Sequence, residues 1–312
     1  LKMAVYEVFS HPEFRRYKTN ICSKASLMML FILTLTFIPP LFVVYRSYGF
    51  WRKTDYYREY PDIQFKRELL LVLELEGEGN YVTYSTFQKY NQLQNEHLRV
   101  PLITSRETDT NRDGKSDSLI FNLEMPLLDS ENVLGVKLIL IFDYKLHQFS
   151  SLTMESIAYA NYDAIQPGGK FEILGDLRVN QKEPIGYRGV DNRYNTSVID
   201  SASVYAESYD FINIFKSYTS RNLTTYLNAP YMVWSTGRGA SQPFVISATI
   251  NYVEEQFLYT PGFWYLIKWG WVQYVSVLLI FLFFFDRVKV FIYQNQLVPT
   301  MVEKPWREEK MK

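Results

Sequence analysis

Nine residues, Asp109 to Asp117, read DTNRDGKSD and put oxygen-bearing side chains at alternate positions. Asp109, Asn111, Asp113 and Asp117 fit D-x-N-x-D-G-x-x-D, a spacing that lets oxygens converge on one hard cation while Gly114 permits the sharp turn. The backbone carbonyl of Lys115 would complete the set, and calcium is the ion this ligand chemistry suits. An EF-hand loop also needs a bidentate Glu at its twelfth position, where Ile120 stands, so this is not an EF-hand. A strand signal begins soon after Asp117, and the stretch is closer to the short hairpin calcium loops of integrin-type propeller blades. The competing reading is a metal-free turn, because Asp and Asn side chains favour turns by bonding their own backbone. Sequence leaves both open.

Other chemistry is sparse. The chain has three histidines, His11, His97 and His147, and one cysteine, Cys22, so a disulfide framework, a Cys-cluster metal site and Cys–His catalysis are excluded. His147 follows Asp143-Tyr144-Lys145 and reads as a hydrogen-bonded residue at a strand end. No G-x-S-x-G elbow, P-loop or dinucleotide fingerprint occurs. Acidic pairs such as Glu207 with Asp210 read as solvated faces. No residue is assigned a catalytic or small-molecule role, and calcium is the one cofactor considered.

The elements that carry these residues are set by two apolar stretches. Ala25 to Tyr45, ASLMMLFILTLTFIPPLFVVY, has no charge and spans about 31 Å as a helix, enough to cross a bilayer core. Phe263 to Phe285, FWYLIKWGWVQYVSVLLIFLFFF, holds one charge, Lys268. Both predict transmembrane helices. A cleaved signal peptide is excluded for the first, since the run is long and VVYRSYGFW follows without a small-residue cleavage site. Pro39-Pro40 predicts a kink near one end. Trp264, Tyr265, Trp269, Trp271 and Tyr274 form an interfacial belt beside which Lys268 snorkels.

Basic residues orient the chain. No Lys or Arg lies between Phe244 and Phe263, whereas Arg287, Lys289 and Lys304 follow the second span, which predicts a cytoplasmic C-terminus and, with two spans, a cytoplasmic N-terminus. Residues 1–24 and 286–312 are then short cytoplasmic ends, the second beginning as a continued helix over DRVKVFIYQNQL. Residues 3–24 mix aromatic and basic groups as a membrane-surface segment does, and Cys22 is a palmitoylation candidate. Residues 46–262 form an exoplasmic domain, lumenal or extracellular. It holds two glycosylation sequons, at Asn195 and Asn222.

That domain is rich in strand signals: Glu68–Leu75, Tyr81–Phe87, Ser118–Leu127, Val133–Leu146, Lys170–Val179 and Phe244–Tyr252. Ser208–Ser220 reads as a helix. Val133–Phe142 is too short for a span and contains Lys137, so it reads as a buried strand. The fold class expected is two transmembrane α-helices, 25–45 and 263–285, bracketing a mainly-β, antiparallel sandwich-like domain. Zero net charge from 33 basic and 33 acidic residues gives no reason to expect nucleic acid.

Beyond these physical readings, YEVFSHP, IPPLFVVYRSYGFW, DTNRDGKSD and PGFWYLIKWGWVQYVSVLLIFLFFFDRVKVFIYQNQ, in this order, resemble the transmembrane protein 231 family from Met3 to Leu297. The resemblance implies a membrane protein of the ciliary transition zone in the Meckel-syndrome, tectonic-like complex. That assembly forms a diffusion barrier controlling entry of membrane proteins to the cilium, on which ciliogenesis and Hedgehog signalling depend. Implied partners are the lipid bilayer, tectonic and meckelin. Ser26, Thr34, Thr36, Gly270 and Ser276 are candidate helix-contact positions. The alternative is a two-span channel or transporter accessory subunit, families that generally brace the exoplasmic loop with disulfides. An exoplasmic hydrolase lacks a visible nucleophile and base.

Overall fold

A computed structural model describes residues 15–47 and 52–303. The YEVFSHP segment, His11 and Lys304 fall outside these residues. In chain order the elements are β1 (Arg16–Lys18), α1 (Lys24–Arg46), β2 (Asp55–Glu59), β3 (Asp62–Leu75), β4 (Tyr81–Ser85), α2 (Gln88–Leu93) and β5 (Leu102–Thr108). They continue with β6 (Ser118–Met125), β7 (Val133–Leu146), β8 (Ser151–Gln181), β9 (Ile185–Gly186), β10 (Val190–Asp191) and, after a 3-10 turn at Ala206–Tyr209, α3 (Phe211–Thr219). The last are β11 (Leu223–Thr236), β12 (Phe244–Tyr252), β13 (Glu255–Thr260), α4 (Phe263–Gln294) and β14 (Met301–Glu303). Two compact units result: the two ends of the chain, through Arg52 and from Gly262, and the intervening Lys53–Pro261.

The first unit is a helix pair. α1 starts where the Ser23 side-chain oxygen accepts the Ser26 N–H at 3.2 Å, supplying one of the partners a helix start lacks. Inside this apolar helix the Thr34 and Thr36 hydroxyls donate to the Leu30 and Ile32 carbonyls at 2.8 and 2.7 Å, so neither is left unpaired. α1 is long and apolar enough to cross a membrane, and runs through Pro39 and Pro40. α4 is longer, at 32 residues, and continues past Phe285 through DRVKVFIYQ as expected. It is less uniformly apolar: Lys268 and Gln273 interrupt its first half, and Asp286, Arg287 and Lys289 its last third. The helices run antiparallel, with Tyr274 Oη donating to the Phe37 carbonyl and Tyr293 Oη to the Ala25 carbonyl, both at 3.2 Å. Beyond them β1 pairs antiparallel with β14, Tyr17 opposite Val302, and Lys18 Nζ lies 2.6 Å from Glu303.

The second unit is mainly β. Its large sheet runs in the order β4-β3-β7-β8-β12-β6-β5, with β10 and β11 also on β8; a second sheet has the order β2-β13-β9. The expected strand over Val133–Leu146 coincides with β7, and that over Phe244–Tyr252 with β12. β7 is apolar without alternation because the sheet is covered on both faces there. Leu138, Leu140 and Phe142 enter the main core with Phe121, Phe171 and Phe244, while Ile139 and Ile141 enter a second core with Ile157, Ile214 and Tyr218 beneath α2 and α3. The helix expected at Ser208–Ser220 is α3 with its 3-10 lead-in.

The expected all-antiparallel sandwich is corrected in two respects. Lys170–Val179 is the far half of a 31-residue strand, and β8 pairs in parallel with β12, Val245 opposite Lys170 and Tyr252 opposite Leu177. β8 serves two neighbourhoods: its first half lies antiparallel to β7, while its second half is flanked by β11 and β12. β11 is antiparallel to β8, and the short connection 237–243 reverses the chain again, so β12 must run parallel to β8. Where β8 passes from β7 to β11, a Cβ on Gly168 would stand 2.3 Å from the Trp234 ring, so glycine alone fits there. The sheet then curls until its far edge meets β3, where Glu107 of β5 accepts the Phe65 N–H at 2.7 Å and the Tyr252 hydroxyl at 3.1 Å.

Candidate functional site

DTNRDGKSD connects β5 to β6, the hairpin predicted for it. Within the loop each carboxylate turns to the backbone. Asp109 accepts the Arg112 N–H at 2.6 Å and the Gly114 N–H at 3.1 Å. Asp117 accepts the Thr110 and Asn111 N–H groups at 2.7 and 3.3 Å, and Asp113 accepts the Lys115 N–H at 2.8 Å. Asn111 closes the set, its Oδ1 accepting the Asp113 N–H at 2.9 Å and its Nδ2 donating to Asp113 at 3.1 Å. These bonds hold Arg112 at φ 60° and Gly114 at φ 87°, the left-handed region that Asx turns and glycine make accessible. Lys115 does not present its side chain to the loop centre; its ammonium donates to the Tyr60 carbonyl at 2.6 Å. Among the described residues no group of three His, Cys, Asp or Glu side chains is placed to hold a metal ion. As arranged, the loop is a turn bonded to its own backbone.

The two described histidines have structural partners. His97 stacks on Tyr81 at 4.0 Å, with Nδ1 3.0 Å from the Tyr81 carbonyl. His147 is 59% exposed at the end of β7, with Nε2 3.7 Å from Asp62. Asp210 stands at the N-cap position of α3 without a side-chain cap bond, and both it and Glu207 are exposed. Of the helix-contact candidates, Thr36 and Gly270 are buried, whereas Thr34 and Ser276 are exposed and bond carbonyls of their own helices. Lys268 lies exposed with Nζ 5.8 Å from the Trp269 ring, and Cys22 is exposed.

The sequons differ in setting. Asn195 lies exposed in the turn after β10, its backbone N–H donating to the Asn192 carbonyl. Asn222, one residue before β11, donates its side-chain amide to Glu183 at 2.5 Å.

Sequence reasoning missed a polar cluster inside the β domain. Glu155, 4% exposed on β8, accepts Lys66 Nζ and the Val198 N–H, both at 2.7 Å. Burial draws the Lys66 pKa down, but the hydrogen bond and charge of Glu155 outweigh it and leave it above the ordinary value. Arg221, 9% exposed, donates to the carbonyls of Glu155, at 3.0 Å, and Thr196, at 3.1 Å, with its guanidinium 5.4 Å from the Tyr218 ring. Burial lowers its pKa, and backbone carbonyls rather than a bonded carboxylate satisfy it. Nearby on the chain, Arg193 bonds Asp191 through Nε and Nη2 and holds that carboxylate's pKa below its ordinary value. The one visible sign of this cluster is Glu155 in an otherwise apolar strand, MESIAYA.

These polar groups clamp segments together and form no arrangement of nucleophile, base and oxyanion donors. Comparison with known proteins agrees with a membrane component. The family profile described as "Transmembrane protein 231" matches residues 3–302. The protein of that name from Xenopus tropicalis is 48% identical over 96% of each chain. Those from Homo sapiens and Gallus gallus are 49% and 47% identical, covering 96% and 97% of this chain and 95% of their own. On the profile match and this near full-length identity, the chain belongs to the transmembrane protein 231 family.

Proposed function

We propose that this chain is a non-enzymatic structural component of the ciliary transition zone. It crosses the membrane twice, through α1 and α4, and holds its β domain on the exoplasmic side with both ends cytoplasmic. In the tectonic-like complex it binds tectonic and meckelin and contributes to the barrier that sorts ciliary membrane proteins, a role ciliogenesis and Hedgehog signalling require. The observation that carries this reading is family membership along nearly the whole chain. The helix pair supports it physically: antiparallel packing, with β1 against β14 beyond it, brings residues 16–18 and 301–303 to the same side of any membrane the pair crosses. The apolar side chains left exposed on both helices, such as Leu30, Phe42, Ile280 and Phe283, suit lipid or partner helices.

Proximity labelling from the tagged full-length chain in ciliated cells tests this reading. Tectonic and meckelin are expected among the labelled neighbours, and their absence would overturn it. Ion currents or lipid flipping by the purified protein in liposomes would instead favour the channel or transporter-subunit reading.

A further inference from the structure

We propose that Asn195 carries an N-linked glycan in the mature protein and that Asn222, although it also sits in a sequon, does not. The inference rests on the exoplasmic placement of the β domain. Both sites have the hydroxyl two residues on that the transferase requires, Ser197 and Thr224, so the sequence does not separate them. The fold does. Asn195 and both following residues, Thr196 and Ser197, are exposed. The turn is fixed from below, where Arg221 holds the Tyr194 and Thr196 carbonyls at 3.4 and 3.1 Å, so the Asn195 side chain projects from a braced segment without serving it.

Asn222 is built into its surroundings instead. Its backbone N–H donates to Tyr194 Oη at 3.1 Å, its carbonyl accepts the Lys182 N–H at 2.9 Å, and its side-chain amide donates to Glu183. Asn222 is half-buried beside a crevice of about 10 Å³ lined also by Leu152, Ile185, Tyr194 and Leu223, and its amide meets Glu183 at the exposed rim. Thr224 is 7% exposed. A chain modified at Asn222 before folding would keep one amide N–H for Glu183 but would have to seat a sugar beside the buried Thr224.

In the transfer, Nδ2 of Asn195 attacks the anomeric carbon of a lipid-pyrophosphate-linked oligosaccharide. A carbon–nitrogen bond forms, the bond from the anomeric carbon to the pyrophosphate oxygen breaks, and the lipid pyrophosphate departs with that electron pair while the amide proton passes to a base of the transferase. A glycan there marks the turn as solvent-facing, so partner proteins must dock on other surfaces of the domain.

The test expresses the full-length protein in mammalian cells and reads gel mobility with and without peptide-N-glycosidase. Wild type and Asn222→Gln are expected to shift by one glycan, whereas Asn195→Gln and Ser197→Ala are expected not to shift. A control sequon made by Ile165→Asn with Pro167→Thr, at the fully exposed Ile165, reports exoplasmic placement independently. A glycosylated control beside an unmodified Asn195, loss of the wild-type shift in Asn222→Gln, or two glycans on wild type would overturn the assignment and leave the placement standing. No shift in wild type or control would overturn both.

Discussion

At the scale of single residues, the β domain depends on a few buried polar groups whose partners are far away in sequence. Lys66 and Glu155 are 89 positions apart and Arg221 and Glu155 are 66 apart, so spacing along the chain does not reveal them, whereas the Asp and Asn of DTNRDGKSD bond within nine residues and are visible by eye. Lys66→Met leaves the buried Glu155 carboxylate without its cation and is expected to destabilise the full-length protein in detergent by about 3 kcal/mol in thermal unfolding. Tyr57 gives a pH dependence. Its burial, and then the nearby Glu59 charge, push its pKa from 10.0 to about 12. A folded pKa above the unfolded one means that the protonated phenol favours folding. Its contribution is complete below pH 10 and is lost as pH rises through about 12. The free energy of unfolding measured across this window should fall more steeply with pH for wild type than for Tyr57→Phe; parallel curves would contradict the assignment.

At the scale of elements, strong patterns locate the strands but not their partners. VLGVKLILIFDYKL is β7 from end to end, because its predominantly β-branched and leucine character suits a strand covered on both faces. Direction is not written in that pattern: β12 runs parallel to β8 only because β11 intervenes in the chain, and no periodicity in FVISATINY encodes it. Phe142, fully buried between the Phe65 and Tyr252 rings, should cost about 3–5 kcal/mol on replacement by Ala, read by chemical unfolding. In the β5–β6 loop, Asp117→Ala removes the acceptor for two exposed backbone N–H groups, which water then meets, and should destabilise the protein by about 0.5–1.5 kcal/mol in chemical unfolding. The self-bonded turn further predicts equal melting midpoints in calcium and in chelator. A midpoint that rises with calcium would assign an ion to Asp109, Asn111, Asp113, Lys115 and Asp117.

At the scale of the whole molecule, the family could be read from the ordered motifs near both ends, and α1 from its length and lack of charge. The role of α4 is harder to read, because Lys268, Gln273 and the charges after Phe285 dilute a helix that extends well beyond the apolar run. In the proposed topology, protease added to intact microsomes removes tags from both ends and spares the β domain. The most direct measurement of the central claim is rescue in ciliated cells lacking their own family member. The tagged full-length chain is predicted to concentrate at the ciliary base, between basal body and axoneme, and to restore retention of ciliary membrane proteins. Uniform spread through the plasma membrane, with sorting still defective, would contradict the proposed function.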